Sequence, residues 1–295
     1  MEGLKCTVRS LTGQLKVMDS QEKEIQRIED HEISTELYDA VLKRGKTLGV
    51  TERFRDVIRE FHTPEGETPA GFQVVYELQP DGAVLADLKR NIAYDKNGKK
   101  RPTKLIFSAD CANPYEVESM KNLIGNLTCN PAIIYNQFIN NPSANVGGKY
   151  KTRDEVMRDI GSILGPGCDI SVELNDPFHS SETEILEEAA RFKEMLSKYR
   201  VVIKVPHTGP VHAGNVQELM EGDKRLSRRY NQGEPEDFFR GHNLALMLQE
   251  HGYRVNYTLM FEPYQTAMAL QARPYFINSF IMFRHSQSMQ MAGYM

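Results

Sequence analysis

A lysine interrupts an apolar run at Val201-Val202-Ile203-Lys204-Val205-Pro206. A strand of that composition is expected to be buried on both faces, and burying an ammonium is costly unless it is paired or neutralised. Two readings follow. Either Lys204 is a structural group held by a carboxylate, or it is a nucleophile. Burial lowers a lysine's pKa, and a neutral amine forms a Schiff base with a carbonyl. Carbon–carbon chemistry through an imine also needs proton carriers. One must take a proton from a hydroxyl as the bond breaks, and one must help expel water as the imine forms. Asp110 closes the run Leu105-Ile106-Phe107-Ser108-Ala109-Asp110, and Glu173 lies in Asp169-Ile170-Ser171-Val172-Glu173-Leu174. Two carboxylates therefore stand at strand ends neighbouring that of the lysine.

These strands belong to a series. From 104 onward, short apolar runs at 104–109, 123–128, 168–174, 201–205, 254–261 and 275–283 alternate with helical patterns. Asn113-Pro114-Tyr115-Glu116 supplies an N-cap, a proline at N1 and a glutamate at N3, a capping box. Thr152-Arg153-Asp154-Glu155 is another, opening a helix with Val156, Ile160 and Ile163 on one face. Ile185, Ala189, Phe192, Leu196 and Tyr199 stripe a third. The alternation predicts parallel βαβ units covered on both faces, in a barrel or a doubly wound sheet. No G-x-G-x-x-G or G-x-x-x-x-G-K follows any of these strands, which counts against nucleotide-binding versions. In such folds reactive groups gather at the C-terminal ends of strands. Besides the lysine and the two acids, those ends carry Thr128, Asn130, Ser171, Asn256, Thr258, Ser279 and Arg284.

The first hundred residues read differently, with a soft boundary near 96–104. Ile33, Leu37 and Val41 recur every four residues, and Phe54, Val57, Ile58 and Phe61 follow Thr51 as N-cap. Residues 63–69 are loop material, and a β-hairpin is expected over 71–88 around Pro80-Asp81-Gly82. Lys96, Lys99, Lys100, Arg101 and Lys104 form a basic cluster, read as a solvated linker rather than a phosphate or nucleic-acid patch. The expected organisation is an extension of helices plus a hairpin over 1–103, then a β/α region over 104–295.

Composition narrows the function classes. The chain has 295 residues and 36 Lys+Arg against 40 Asp+Glu, a net charge of −4, so a free-standing nucleic-acid binder is disfavoured. No apolar run approaches the roughly 20 residues of a membrane span, and MEGLKCTVRS lacks a secretory signal's apolar core. A soluble, cytoplasmic protein is expected. Cys6, Cys111, Cys129 and Cys168 form no C-x-x-C pair, and the last three read as small core residues. His207 and His212 follow the lysine strand without a third ligand at recognisable spacing, so no metal is expected. Asn126 and Asn256 match a glycosylation pattern but lie in expected buried strands, and the match is discounted.

Taken together, residues 104–285 resemble the transaldolase family. Thr128-Cys129-Asn130-Pro131 resembles its Thr-Asn-Pro signature, Val201–Pro206 its Schiff-base lysine strand, Asn256-Tyr257-Thr258-Leu259 its Asn-x-Thr-Leu segment, and Ser279-Phe280 through Arg284 its Ser-Phe-x-x-x-Arg segment. The resemblance implies a (β/α)8 barrel of the TIM type and a cofactor-free reaction on sugar phosphates. In that reaction a dihydroxyacetone unit passes between sedoheptulose 7-phosphate or fructose 6-phosphate and an aldose phosphate. It implies roles too. Lys204 would carry the imine. Asp110 would deprotonate the hydroxyl that drives cleavage. Glu173 with Thr258 would handle the water of imine formation. Asn130, Asn256 and Ser279 would bind hydroxyls and the three-carbon unit, Arg284 would hold the phosphate, and Thr128 and Ser171 would support them. Simpler roles exist for several: Asn130 before Pro131 is also a good N-cap, and Arg284 could pair with a surface carboxylate.

The pattern departs from the family in number. Six strands are recognised where the family has eight, the chain stops at Met295, and the second phosphate-binding arginine has no assignable position. Arg228 and Arg229, in an insertion near 221–241, are either its replacement or part of a solvated loop. Three explanations compete for the open sheet: a truncated chain, completion by the 71–88 hairpin, or a homo-oligomer that covers the gap. Three functions compete as well: a transaldolase, an aldolase of the fructose 6-phosphate type, and a catalytically silent sugar-phosphate binder. Glu173 favours the transferase over the aldolase branch.

Overall fold

A computed structural model describes residues 6–102, 105–207, 235–260 and 263–279, with the backbone alone at 235–237 and 263–264, and the single positions 285, 288, 289, 292 and 293. The chain forms two compact units: Met1–Thr128, Ala132–Ile170 and Leu196–Arg200, and Cys129–Pro131, Ser171–Met195 and Val201–Met295.

The first unit opens with a four-stranded sheet, β1 (Lys16–Val17), β2 (Thr47–Val50), β3 (Phe72–Leu78) and β4 (Ala83–Arg90), in the order β1-β2-β4-β3. Around it lie α1 (Val8–Thr12), α2 (Glu22–Ile28), α3 (Thr35–Arg44) and α4 (Glu52–Glu60). Thr51 caps α4, its hydroxyl accepting from the Phe54 N–H at 3.1 Å. Phe54 and Phe61 then enter a core with Val8, Leu11, Ile28, Leu48 and Leu88. The hairpin forms as expected, β3 running antiparallel to β4 from Phe72↔Arg90 to Leu78↔Val84. Its turn needs Gly82 at φ +94°, and the Asp81 carboxylate accepts from the Ala83 N–H at 2.9 Å.

Three expectations need correction here. The hairpin pairs with β2, so it does not complete the parallel series. The basic cluster is not simply solvated either: Arg101 is buried and donates to the Lys121 carbonyl at 2.7 Å, while Lys96 pairs with Glu67 at 3.5 Å. Finally, Asn113 caps α5 (Pro114–Met120) by accepting from the Tyr115 N–H, and Glu116 reaches the Asn113 side-chain amide, so the reciprocal backbone bond of a capping box is replaced.

The same unit carries β5 (Phe107–Asp110), β6 (Ile124–Cys129) and the start of β7 (Asp169–Glu173), with a π-type helix at Ile133–Ile139 and α6 (Arg153–Leu164) between β6 and β7. The capping box at Thr152 and Glu155 is complete. β5 pairs parallel to β6 and leaves Leu105, Ile106 and Phe107 exposed.

The second unit holds the end of β7, then α7 (Glu182–Met195), β8 (Arg200–Pro206), α8 (Pro235–Glu250), β9 (Arg254–Met260), α9 (Pro263–Gln271) and β10 (Phe276–Ser279). Ile185, Ala189 and Phe192 are the buried stripe of α7, whereas Leu196 and Tyr199 lie past its end. β8/β9 and β9/β10 pair parallel. The strand order is β10-β9-β8-β7-β6-β5. Each strand thus neighbours the next in sequence, the pattern of successive βαβ units. Among the described residues the sheet has these six strands, with β5 and β10 at its edges, and the eight-stranded closure implied by the family resemblance is not seen. No described helix is long and apolar enough to cross a membrane.

Candidate active site

In the second unit, Lys204 on β8 is 3% exposed and its Nζ lies 3.2 Å from Glu173 Oε2 on β7. The two strands are held together there by a bond from the Leu174 N–H to the Lys204 carbonyl at 3.3 Å. Side chains alternate between faces along a strand, so Ser171 and Glu173 share a face of β7, and Asn256 and Thr258 one of β9. Lys204 is the register partner of Asn256. Asn256 is fully buried and donates through Nδ2 to Ser171 Oγ at 3.1 Å, while its Oδ1 is buried with no hydrogen-bond partner. Thr258 is buried, and its carbonyl accepts from the His207 N–H at 2.8 Å. The structure thus gathers Lys204, Glu173, Ser171, Asn256 and Thr258 on one face of three adjacent strands. An amine, a carboxylate, the Asn256–Ser171 pair and a threonine there can support attack on a carbonyl and the attendant proton transfers.

Asp110 and Thr128 lie in the first unit as register partners on β5 and β6. Asp110 is exposed, whereas Thr128 is buried and its Oγ1 has no hydrogen-bond partner. Asp110 lines a pocket of about 680 Å³ with Ser108, Cys111, Asn113, Glu116 and Phe138. Cys111 is therefore not the core residue expected, although Cys129 and Cys168 are buried. Burial pushes the Cys111 thiol up to about 11.

The remaining candidates are more peripheral. Asn130 is half-buried at the end of β6, directly before the helical turn at Pro131. Ser279 is exposed at the last position of β10 and pairs with Met260 across a register shift. Arg284, Arg228, Arg229 and His212 lie outside the described residues. His207 is buried against Tyr257, ring centroids 5.6 Å apart, and burial with a nearby His242 pushes its pKa down to about 4. Among the described residues no group of three or more His, Cys, Asp or Glu side chains is placed to hold a metal ion.

One polar pair escaped the sequence reading. Asn126, register partner of Ser108, is buried and donates to Ser108 Oγ at 2.7 Å. A signal for it existed, since Asn126, Thr128 and Asn130 alternate along an otherwise apolar strand.

The fold is a parallel α/β sheet that carries a lysine–carboxylate pair on adjacent strands. The family model for transaldolase/fructose-6-phosphate aldolase matches residues 107–290, from the first residue of β5 past the last described strand, and the chain belongs to that family. Membership points to aldolase- or transaldolase-type activity. Among curated proteins, none matches the chain.

Proposed function

We propose that the chain is a transaldolase, moving a dihydroxyacetone unit from sedoheptulose 7-phosphate or fructose 6-phosphate to an aldose phosphate. The observation that carries this reading is the pair of buried Lys204 and half-buried Glu173 inside the family's own segment. Lys204 attacks carbon two of the ketose. Glu173, 3.2 Å away, takes the amine's proton and returns one to the departing hydroxyl, with Thr258 steadying the water. Asp110 takes the proton from the carbon-four hydroxyl. The bond between carbons three and four then breaks, its electrons passing into the iminium to leave an enamine on Lys204. Protonation of that enamine followed by hydrolysis would be aldolase chemistry; attack on an acceptor aldehyde is transfer. The iminium is the electron sink, so the reaction as written requires no metal or organic cofactor.

The other residues bind. Asn256, steadied by Ser171, holds a hydroxyl of the three-carbon unit. Asn130 and Ser279 contact further hydroxyls, Thr128 supports the Asp110 side, and Arg284 binds phosphate through its guanidinium fork. The test is partition. With fructose 6-phosphate as donor and erythrose 4-phosphate as acceptor, the expected product is sedoheptulose 7-phosphate. Release of free dihydroxyacetone without transfer would instead assign the aldolase branch of the family.

A further inference from the structure

Strand β9 slips out of register where it passes the lysine site. Ile277 pairs with Tyr257 and Ser279 with Met260, so three steps along β9 match two along β10. The extra residue falls at Thr258 or Leu259, and Leu259 takes φ +55°, a left-handed conformation that L side chains seldom adopt. A bulge of this kind re-aims the side chains beside it, and a strained backbone persists only where its surroundings hold it.

The holding group comes from α9. Gln265 is 2% exposed, and its Nε2 lies 3.3 Å from the His207 carbonyl and 3.4 Å from the Leu259 carbonyl. Carbonyl oxygens only accept, so the amide nitrogen must face both; a flipped amide would set its oxygen against two others. His207 Nδ1 lies 3.5 Å from the same nitrogen. The two N–H groups of Gln265 thus bridge the chain just past Lys204 on β8 and the chain just past Thr258 on β9. The His207 N–H closes the same junction by donating to the Thr258 carbonyl at 2.8 Å, beside the register pair Pro206↔Thr258.

We propose that Gln265 is a positioning residue for imine formation. It acts through the two carbonyls, holding the β9 bulge and with it the placement of Thr258 relative to Lys204. The inference rests on the roles read above for Lys204, Glu173 and Thr258.

The experiment uses the full chain and fructose 6-phosphate, with imine formation followed by stopped flow. Gln265→Met keeps the length of the side chain and removes both donors. It should slow imine formation about ten- to hundredfold, the scale of a small misplacement imposed from outside the site. The half-saturating concentration of sugar should stay at the wild-type value, since no sugar-binding group is altered. Leu259→Gly, added to that variant, removes the strained residue from the bulge and should recover part of the lost rate. A side chain that merely fills space would give no such recovery. If Gln265→Met does not fold, Gln265→Asn, one methylene too short to span both carbonyls, is judged by the same readings. A folded variant with the wild-type rate, a loss seen only in half-saturation, or a double variant without recovery would overturn the proposal and leave the proposed reaction intact. A wild-type chain that forms no imine with fructose 6-phosphate would overturn that reaction, and this inference with it.

Discussion

Strand β7 starts on a buried carboxylate and finishes on a half-buried one, and the two keep different company. Asp169, 0% exposed at its N-terminal end, pairs with Arg90 and lies 3.6 Å from Arg200 Nε. Both guanidinium groups in turn sit over Phe72, and that of Arg200 also over Phe61. Glu173, at the C-terminal end, lies 3.2 Å from the amine of Lys204. The cations make the difference. A guanidinium does not surrender its proton in a protein, so the Asp169 cluster can only hold; a lysine amine can, so the Glu173 pair can react. The arrangement follows the division seen in parallel barrels, where the N-terminal ends of strands serve stability and the C-terminal ends serve chemistry. A buried ion pair is weak ground for stability in itself. The chain uses arginines stacked on aromatic rings where it needs an anchor, and a single lysine at the other end.

Substitutions at the two ends should separate those roles. Lys204→Ala is expected to abolish every trace of imine formation while the chain still folds, at a smaller cost in stability than Asp169→Ala, because the Glu173 carboxylate deprived of its cation keeps contact with water; a collapse in stability would make Lys204 structural. Glu173→Gln should slow imine formation by roughly 10²–10⁴-fold, the usual worth of a general acid/base. A stopped-flow rate equal to wild type would remove Glu173 from the mechanism. Asp169→Ala should do the reverse of Lys204→Ala. It strands two arginines and should cost about 3–5 kcal/mol in urea unfolding, with unchanged imine yield per folded molecule.

A smaller effect concerns pH. The His207 pKa is depressed to about 4 by burial and by His242, against 6.5 for the free side chain. A depressed histidine binds protons less readily in the folded state than in the unfolded one. Its contribution to stability is therefore full above pH 6.5 and is lost progressively as pH falls toward 4. His31, lowered by its own burial, adds to the same trend. Unfolding curves across this window should show stability falling with acid, and His207→Gln should flatten that fall. An identical slope in the variant would show that His207 titrates freely.

Much of this was legible in the sequence because the physics was local. The six parallel strands announce themselves as short apolar runs, and Thr51 and Thr152 cap their helices where the hydroxyl must be. The adjacency of Glu173 and Lys204 followed from strand order alone. What was not legible depended on distant neighbours. β1 is two residues long, and β2 contains Gly49, where a Cβ would come within 2.2 Å of Met18 Sδ. Such a strand exists only because a partner approaches closely, and no periodicity records that. Arg101 sits among lysines and looked solvated, but its burial rests on a carbonyl at Lys121. Asn126 was visible as a sequon and as a polar residue alternating along an apolar strand, but its bond to Ser108 required the register of β5 on β6.

Borohydride trapping tests the central claim most directly. The protein is incubated with fructose 6-phosphate, reduced, digested and weighed peptide by peptide. The account predicts a stable adduct of the dihydroxyacetone unit or the whole ketose on the peptide that contains Lys204, and on no other. A protein that stays unmodified under conditions that trap an active transaldolase, or that carries the adduct at a different lysine, would contradict it.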